Sequence, residues 1–332
     1  MKIAIIRLSS LGDIITTLVF LEILHQKLKN ITKSLHITWI VDSSFSEILE
    51  DSPLIDEIVS IPLRKSKKNK KLLFNIAKQI KSLDKFDKVL DFQGLIKSLI
   101  IGKMLKKDEL IGFEEPREKI VKYFYTKKAK IAYKEHILKR NWELLKTAFD
   151  FKEDFNLSLL KNRAKGIGSK KDILNINFKH KNMLFILEAS KKEKEYPLIL
   201  FLELALMLKD IGISKIYLIW DKKEKEIKEL AIKDSIFYLM PKLNLTEIKS
   251  LLLNIDCVVG GDTGITHLAW ALGVKSITLY GNTPIDRFKL EGENHISICQ
   301  IRQERIMKNN FSIKEIPPKL IYKNIKILMN MD

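Results

Sequence analysis

The chain has 332 residues, 46% of them apolar, and 59 basic against 41 acidic side chains give a formal charge of +18. That length exceeds what one hydrophobic core normally holds, so two domains are expected, and the apolar content excludes a disordered chain. The two cysteines, Cys257 and Cys299, exclude a disulfide framework and lack metal-ligand spacing, which fits a reducing, cytoplasmic setting.

Residues 2–8 predict a strand, Ser9-Ser10-Leu11-Gly12-Asp13 a tight loop, and residues 14–28 a helix, with Leu18, Leu21 and Leu24 at helical spacing. Arg7 and Asp13 interrupt the opening apolar run before a signal peptide can form, and no uncharged stretch is long enough to span a bilayer. Further strands are predicted at 35–41 and 88–92. In the second half the pattern gives a strand at 182–187, a helix at 198–209, strands at 215–220 and 257–260, a helix at 264–272 and a strand at 276–280. Strands alternating with helices imply parallel sheets whose functional loops follow the strands' C-terminal ends. Residues 161–181, rich in Lys, Asn and Gly and without periodicity, read as the linker. The expected fold is α/β, two doubly wound Rossmann-like domains facing each other across a cleft. They cover residues 1–165 and 175–313, and a C-terminal helix at about 314–330 is able to pack back on the first.

Four loops could carry chemistry. In the first, serine hydroxyls, Gly12 and helix-start amides suit a polar ligand, and Asp13 reads either as a helix cap or as a general base. No G-x-G-x-x-G follows the first strand, so a dinucleotide fingerprint is absent. The second, Gly260-Gly261-Asp262-Thr263-Gly264-Ile265-Thr266-His267, enters an apolar helix in a single copy, which excludes an aspartic protease. Its amides at Thr263 and Gly264 suit a diphosphate, with His267 one turn on; a plain N-cap with a packing histidine is the alternative. In the third, residues 188–197, one lysine over a diphosphate would stabilise a departing nucleotide, and composition does not say which. The fourth, Arg64-Lys65-Ser66-Lys67-Lys68-Asn69-Lys70-Lys71, is the densest basic cluster and lacks the interleaved aromatics of a nucleic-acid surface. An anionic membrane surface or phosphorylated lipid suits it better, and a solvated loop is the bland alternative. Lysine is spread along the whole chain, so only such local clusters carry information about partners.

Taken in order, Arg7-Leu8-Ser9-Ser10-Leu11-Gly12-Asp13, Asp91-Phe92-Gln93-Gly94-Leu95-Ile96-Lys97-Ser98, Arg117-Glu118, the stretch from His136 to Asn141, Asp262-Thr263-Gly264 with His267, and Tyr280-Gly281-Asn282-Thr283-Pro284 span nearly the whole chain. As an ordered set they resemble glycosyltransferase family nine, the ADP-heptose:lipopolysaccharide heptosyltransferases, and in particular the members that add the first heptose. The resemblance implies a GT-B fold with an acceptor-binding N-terminal domain and a donor-binding C-terminal one. It implies an inverting transfer of L-glycero-D-manno-heptose from ADP-heptose, a substrate rather than a cofactor, to the inner Kdo of Kdo2-lipid A. No Asp-x-Asp pair or His/Cys cluster stands out as a metal site, so no essential metal is expected. The enzyme would then lie at the cytoplasmic face of the inner membrane as a peripheral protein, and nucleic acid is not expected as a partner.

Residue by residue, the resemblance implies Asp13 as base and Lys194, through the Lys-x-aromatic-Pro pattern ending at Pro197, as the lysine facing the diphosphate. It implies donor contacts from Ser190, Leu243, Asp262, Thr263, Gly264 and His267, and from either Glu224 or Glu226. Acceptor contacts are implied for Ser9, Ser10, Gly12, Arg64, Lys65, Lys67, Lys68, Gln93, Lys97, Arg117 and Arg140. Two departures stand out: Tyr196 where Trp is common, and Trp220-Asp221 where Trp-Gly is usual, so the backbone at 221 is in question. The alternatives are a family member that adds the second heptose and, from another class, a non-catalytic polyanion- or nucleic-acid-binding protein.

Overall fold

A computed structural model describes residues 1–66, 69–168, 174, 181–301, 307 and 309–331. It divides into two compact units, Met1–Gly168 and Ser169–Asp332. Lys67 and Lys68, and most of the expected linker, lie outside the described residues. Among the described residues no helix is long and apolar enough to cross a membrane.

The first unit runs β1 (Lys2–Ile6), α1 (Leu11–Leu18), α2 (Leu21–Leu28), β2 (His36–Asp42), β3 (Glu57–Ile61), α3 (Leu63–Ser66), α4 (Lys70–Ser82), β4 (Phe86–Asp91), α5 (Ile96–Met104), β5 (Lys107–Phe113), β6 (Lys127–Ala129), α6 (Ile137–Phe149) and α7 (Ala164–Ile167). Its strands form one sheet in the order β3-β2-β1-β4-β5-β6, every pair parallel. Ile3, Ala4, Ile5 and Ile6 are all buried, as strands covered on both faces require, and this is why β1 reads as a continuous apolar run instead of alternating. Ile76 and Ile80 of α4, Leu99 and Ile101 of α5, and Val121 share one core cluster with β1 and β4.

The predicted helix 14–28 is two helices, and side chains explain the break. Thr16 and Thr17 turn their hydroxyls back onto the Asp13 carbonyl, each at 3.0 Å, which loosens the turn that follows. Asn141 Nδ2 donates to the Thr16 carbonyl at 2.8 Å, the acceptor that Phe20 N–H would otherwise take, and Phe20 bonds Thr17 instead. The stretch 161–168 is also more ordered than a linker: α7 packs on α1 and α2, and Ser52 Oγ donates to the Gly166 carbonyl at 2.6 Å.

The second unit runs β7 (Asn182–Ile186), α8 (Leu198–Asp210), β8 (Lys215–Ile219), α9 (Glu224–Ala231), β9 (Phe237–Leu239), α10 (Leu245–Leu252), β10 (Cys257–Gly261), α11 (Gly264–Leu272), β11 (Ser276–Tyr280), α12 (Ile285–Phe288), β12 (His295–Cys299) and α13 (Pro318–Met329). The order β12-β11-β10-β7-β8-β9 is the same topology as the first sheet, again parallel throughout. In each sheet the chain reverses direction of travel between its first and fourth strands, β1/β4 and β7/β10, where loops diverge and open a crevice for ligands. The terminal helix α13, for which packing on the first domain was left open, lies against α8, β11 and β12. Its Ile321, Ile325 and Leu328 are buried in the second unit's own core, because that apolar stripe completes the covering of the sheet.

Candidate active site

At the β1/β4 switch point the loops after the two strands are tied together. Gln93 Oε1 accepts from Leu8 N at 2.9 Å and Ser9 N at 3.1 Å, so Gln93 braces the first loop. Asp91, fully buried at the end of β4, accepts from the amides of Gln93 and Gly94, from Ser98 Oγ at 2.9 Å and from Tyr125 OH at 2.8 Å. Burial pushes its carboxyl above the usual carboxylate range, against the pull of those hydrogen bonds. Gly94 sits at φ +64°, where a side chain would be strained and would crowd Pro116.

Of the two readings that the spacing left open for Asp13, the structure shows the capping one. As third residue of α1 it forms a capping box: Oδ2 accepts from Ser10 N and Ser10 Oγ, each at 3.1 Å. Oδ1 meets Arg7 Nη2 at 3.0 Å, and the Asp13 side chain stays 32% exposed. A carboxylate offers about four lone-pair directions, and these contacts occupy three, so one is left for a substrate proton. Arg7 was not singled out from the sequence. Its guanidinium is buried, bonds the Asp13 and Phe92 carbonyls, and fixes the carboxylate's position. A lone cation at the end of an apolar strand was the available signal.

The other residues expected to face the acceptor separate by exposure. Ser9, Gly12 and Gln93 are half-buried, and Ser10, Lys97 and Arg117 are exposed. Arg64 and Lys65 are exposed on α3, with the Arg64 guanidinium over the Phe45 ring at 4.7 Å. Arg140 has a different place from the one expected. It is buried, donates to the carbonyls of Ile131, Ala132 and Glu115, and lies over the Phe113 and Tyr133 rings, so it shapes a loop rather than presenting a charge.

The β7/β10 switch point holds a compact charged cluster. Lys194, on a short 3-10 turn after β7, places Nζ 2.5 Å from Asp262 Oδ2. His267 Nε2 is 2.9 Å from Asp262 Oδ1, and Thr283 Oγ1 donates to Oδ2 at 2.9 Å. Burial alone would raise the Asp262 carboxyl, but Lys194 and His267 outweigh it and hold the group well below the usual range. With Nε2–H donating to Asp262, the buried Nδ1 of His267 has no partner among the described residues. Gly261 is required by close approach: a Cβ there would lie 2.0 Å from the Lys194 carbonyl oxygen.

The amides at the start of α11 differ from the expected pair. Thr263 N–H bonds Thr266 Oγ1 at 3.1 Å inside a capping box, so Gly264 and Ile265, the first two residues of the helix, carry the amides without a carbonyl one turn back. Ser190 is exposed in the loop after β7, and Leu243 is half-buried just before the Asn244 cap of α10. Glu224 and Glu226 both stand exposed in the first turn of α9. The neighbouring amides of Asp221, Lys222 and Lys223 are taken by the Glu188 carboxylate, which sequence reading did not single out. Asp221 keeps a negative φ, so its replacement of glycine leaves the backbone ordinary.

This geometry can be compared with known proteins. The family profile of glycosyltransferase family 9 (heptosyltransferase) matches residues 73–315. The chain is 34% identical over 351 aligned positions to lipopolysaccharide heptosyltransferase 1 of Campylobacter coli, covering 99% of each. It is 25% identical to the protein of that name from Escherichia coli K12, covering 93% of this chain and 97% of the relative. The fold matches E. coli heptosyltransferase WaaC, solved with ADP-2-deoxy-2-fluoro heptose, at a TM-score of 0.80 and 23% identity over 98% of this chain and 99% of that one. Two parallel six-stranded Rossmann-like units of the GT-B class, with charged loops at both switch points, therefore sit in a chain that belongs to glycosyltransferase family 9 and is a heptosyltransferase.

Proposed function

We propose that the chain transfers L-glycero-D-manno-heptose from ADP-heptose to the inner Kdo of Kdo2-lipid A, the first heptose of the lipopolysaccharide core. The observation that carries the reading is the Lys194–Asp262–His267 cluster at the mouth of α11, where a diphosphate would find an ammonium, two helix-start amides and an imidazole nitrogen unpartnered among the described residues. The curated relatives that span the chain carry the name heptosyltransferase 1, which favours the first over the second heptose.

In the proposed reaction the acceptor hydroxyl attacks the anomeric carbon from the side opposite the diphosphate, forming the new C–O bond as the bond to ADP breaks, with inversion. The hydroxyl proton passes to the open lone pair of Asp13, held in place by Arg7 and Ser10. Charge growing on ADP is met by Lys194 and the Gly264 and Ile265 amides, so no metal is required for it. Ser190, Leu243, Thr263 and one of Glu224 and Glu226 are proposed to complete the donor site. Ser9, Ser10, Gly12, Gln93, Lys97, Arg117, Arg64 and Lys65 are proposed to face the phosphorylated acceptor, with Arg140 supporting their loop. The acceptor is a lipid, so the enzyme works as a peripheral protein at the cytoplasmic face of the inner membrane.

Incubation with ADP-heptose and Kdo2-lipid A, followed by mass measurement of the lipid, tests the reading. A gain of one heptose is expected. Transfer only onto an already heptosylated core would assign the second-heptose reaction, and no transfer onto either would refute the proposal.

A further inference from the structure

The first unit has an outer surface that its own fold leaves uncovered. α4, α5 and the 3-10 segment Lys119–Phe124 all pack onto one face of the sheet, with α5 touching both of the others. Their inward sides are spent on the core. Their outward sides should then be polar, yet Phe74 is 69% exposed, Ile100 53% and Tyr123 71%, with Leu73, Ile120 and Phe124 exposed beside them. On α5 the exposed Ile96, Lys97, Ile100 and Lys103 fall on one stripe, alternating greasy and cationic.

The charges that the three segments themselves carry are of one sign, with the exposed Glu118 at their edge tied to the Ile96 amide. The three segments carry four, two and two lysines and no carboxylate, in a chain with 41 acidic residues overall. Lys103 and Lys122 lay their ammonium groups over the Phe124 and Tyr123 rings, each at 5.3 Å, so cation and apolar group are presented together. Two of the lysines, Lys70 and Lys71, stand in the first turn of α4, where the helix dipole disfavours them. A nucleic acid would leave the isoleucines and phenylalanines unsatisfied. A surface with buried acyl chains beneath a layer of negative headgroups matches both features.

We infer that the outer face of α4, α5 and residues 119–124 is a membrane-docking surface for an anionic phospholipid bilayer, with Ile100, Ile120, Tyr123 and Phe124 entering the interface and lysines between them meeting the headgroups. The inference rests on the proposed lipid-borne acceptor and specifies how the enzyme meets it. α5 leaves directly from the Gln93 loop that braces Leu8 and Ser9, and Ile96 N–H bonds Glu118 at 2.5 Å, so the docked face adjoins the acceptor-side loops of the same unit.

The test is flotation of the full chain with phosphatidylcholine vesicles containing or lacking phosphatidylglycerol. Binding that needs phosphatidylglycerol and weakens with salt is expected. Lys103→Gln with Lys122→Gln should lower it roughly ten- to thirty-fold, from the attraction lost per lysine. Ile100→Ser with Tyr123→Ser and Phe124→Ser should abolish it, while turnover on a water-soluble, delipidated Kdo acceptor stays at the wild-type level. No binding by the wild type, or equal binding by both variants, overturns the inference. So does a wild-type dimer in sedimentation that the serine variant dissociates, because the face would then belong to a second copy. Absence of turnover on the soluble acceptor in the wild type counts against the proposed reaction and leaves the vesicle result to be read separately.

Discussion

Asp13→Asn separates the structural role of this carboxylate from its proposed role as base. As a structural group, Asp13 accepts from Ser10 N and Oγ and from Arg7. Asparagine keeps one oxygen, so it can serve Ser10 or Arg7 but not both. Losing the cap costs about 1 kcal/mol, and weakening one charged contact costs about 1–2 kcal/mol more. The second cost is limited because Arg7 retains the Asp13 and Phe92 carbonyls. The expected loss of stability is therefore about 2–3 kcal/mol, visible in a urea titration and compatible with a folded protein. As a base, the same carboxylate should contribute about two to four orders of magnitude, or about 2.7–5.4 kcal/mol of barrier. Turnover is read from ADP release with both substrates, and ADP affinity by calorimetry. A fall of a hundredfold or more in kcat, at unchanged ADP affinity, is expected. Near-normal turnover with a lowered urea midpoint would refute the reasoning, leaving Asp13 a helix cap and nothing more.

Four further outcomes follow from the same geometry. Lys194→Ala should weaken ADP binding and cost about 2–4 kcal/mol of stability, less than a fully buried pair because Lys194 is 22% exposed, as calorimetry and urea titration would show. Gly261→Ala should reproduce the binding defect without touching a charge, since the added methyl displaces the Lys194 backbone; wild-type ADP affinity would contradict this. The Asp262 carboxyl is depressed in the folded state, so its stabilising contribution is complete above its ordinary value of 3.8 and is lost as the pH falls through 3.8 toward the lower folded value. Acid unfolding of Asp262→Asn should lack that component. Transfer should persist in EDTA, because Lys194 and the α11 amides supply the positive charge; loss of activity restored by a divalent ion would overturn this.

Much of the fold is written in local pattern. The helix 264–272 and the strand 276–280 lie where periodicity puts them, because a glycine opens the first and apolar residues run without a break through the second. The ordered loop motifs were sufficient to indicate family 9, whose profile matches residues 73–315. What the pattern misplaced depends on distant partners. Residues 14–28 have a continuous helical period, and only Asn141, more than a hundred positions away, takes the carbonyl that would carry the helix through. Arg140 has the charge of an acceptor ligand until its surroundings show three carbonyls and two rings around it.

Local pattern was enough for the strand–helix alternation, the loops that follow β1, β4, β7 and β10, and the residue types in them, since these follow from hydrophobic period and turn chemistry. Which groups face one another came from the folded chain: Arg7 on Asp13, Lys194 and Thr283 on Asp262, and the terminal helix on the second unit's core. A parallel sheet sets side by side strands that lie tens of residues apart. The charge that a loop presents is therefore set by its neighbour across the switch point, which local sequence does not contain.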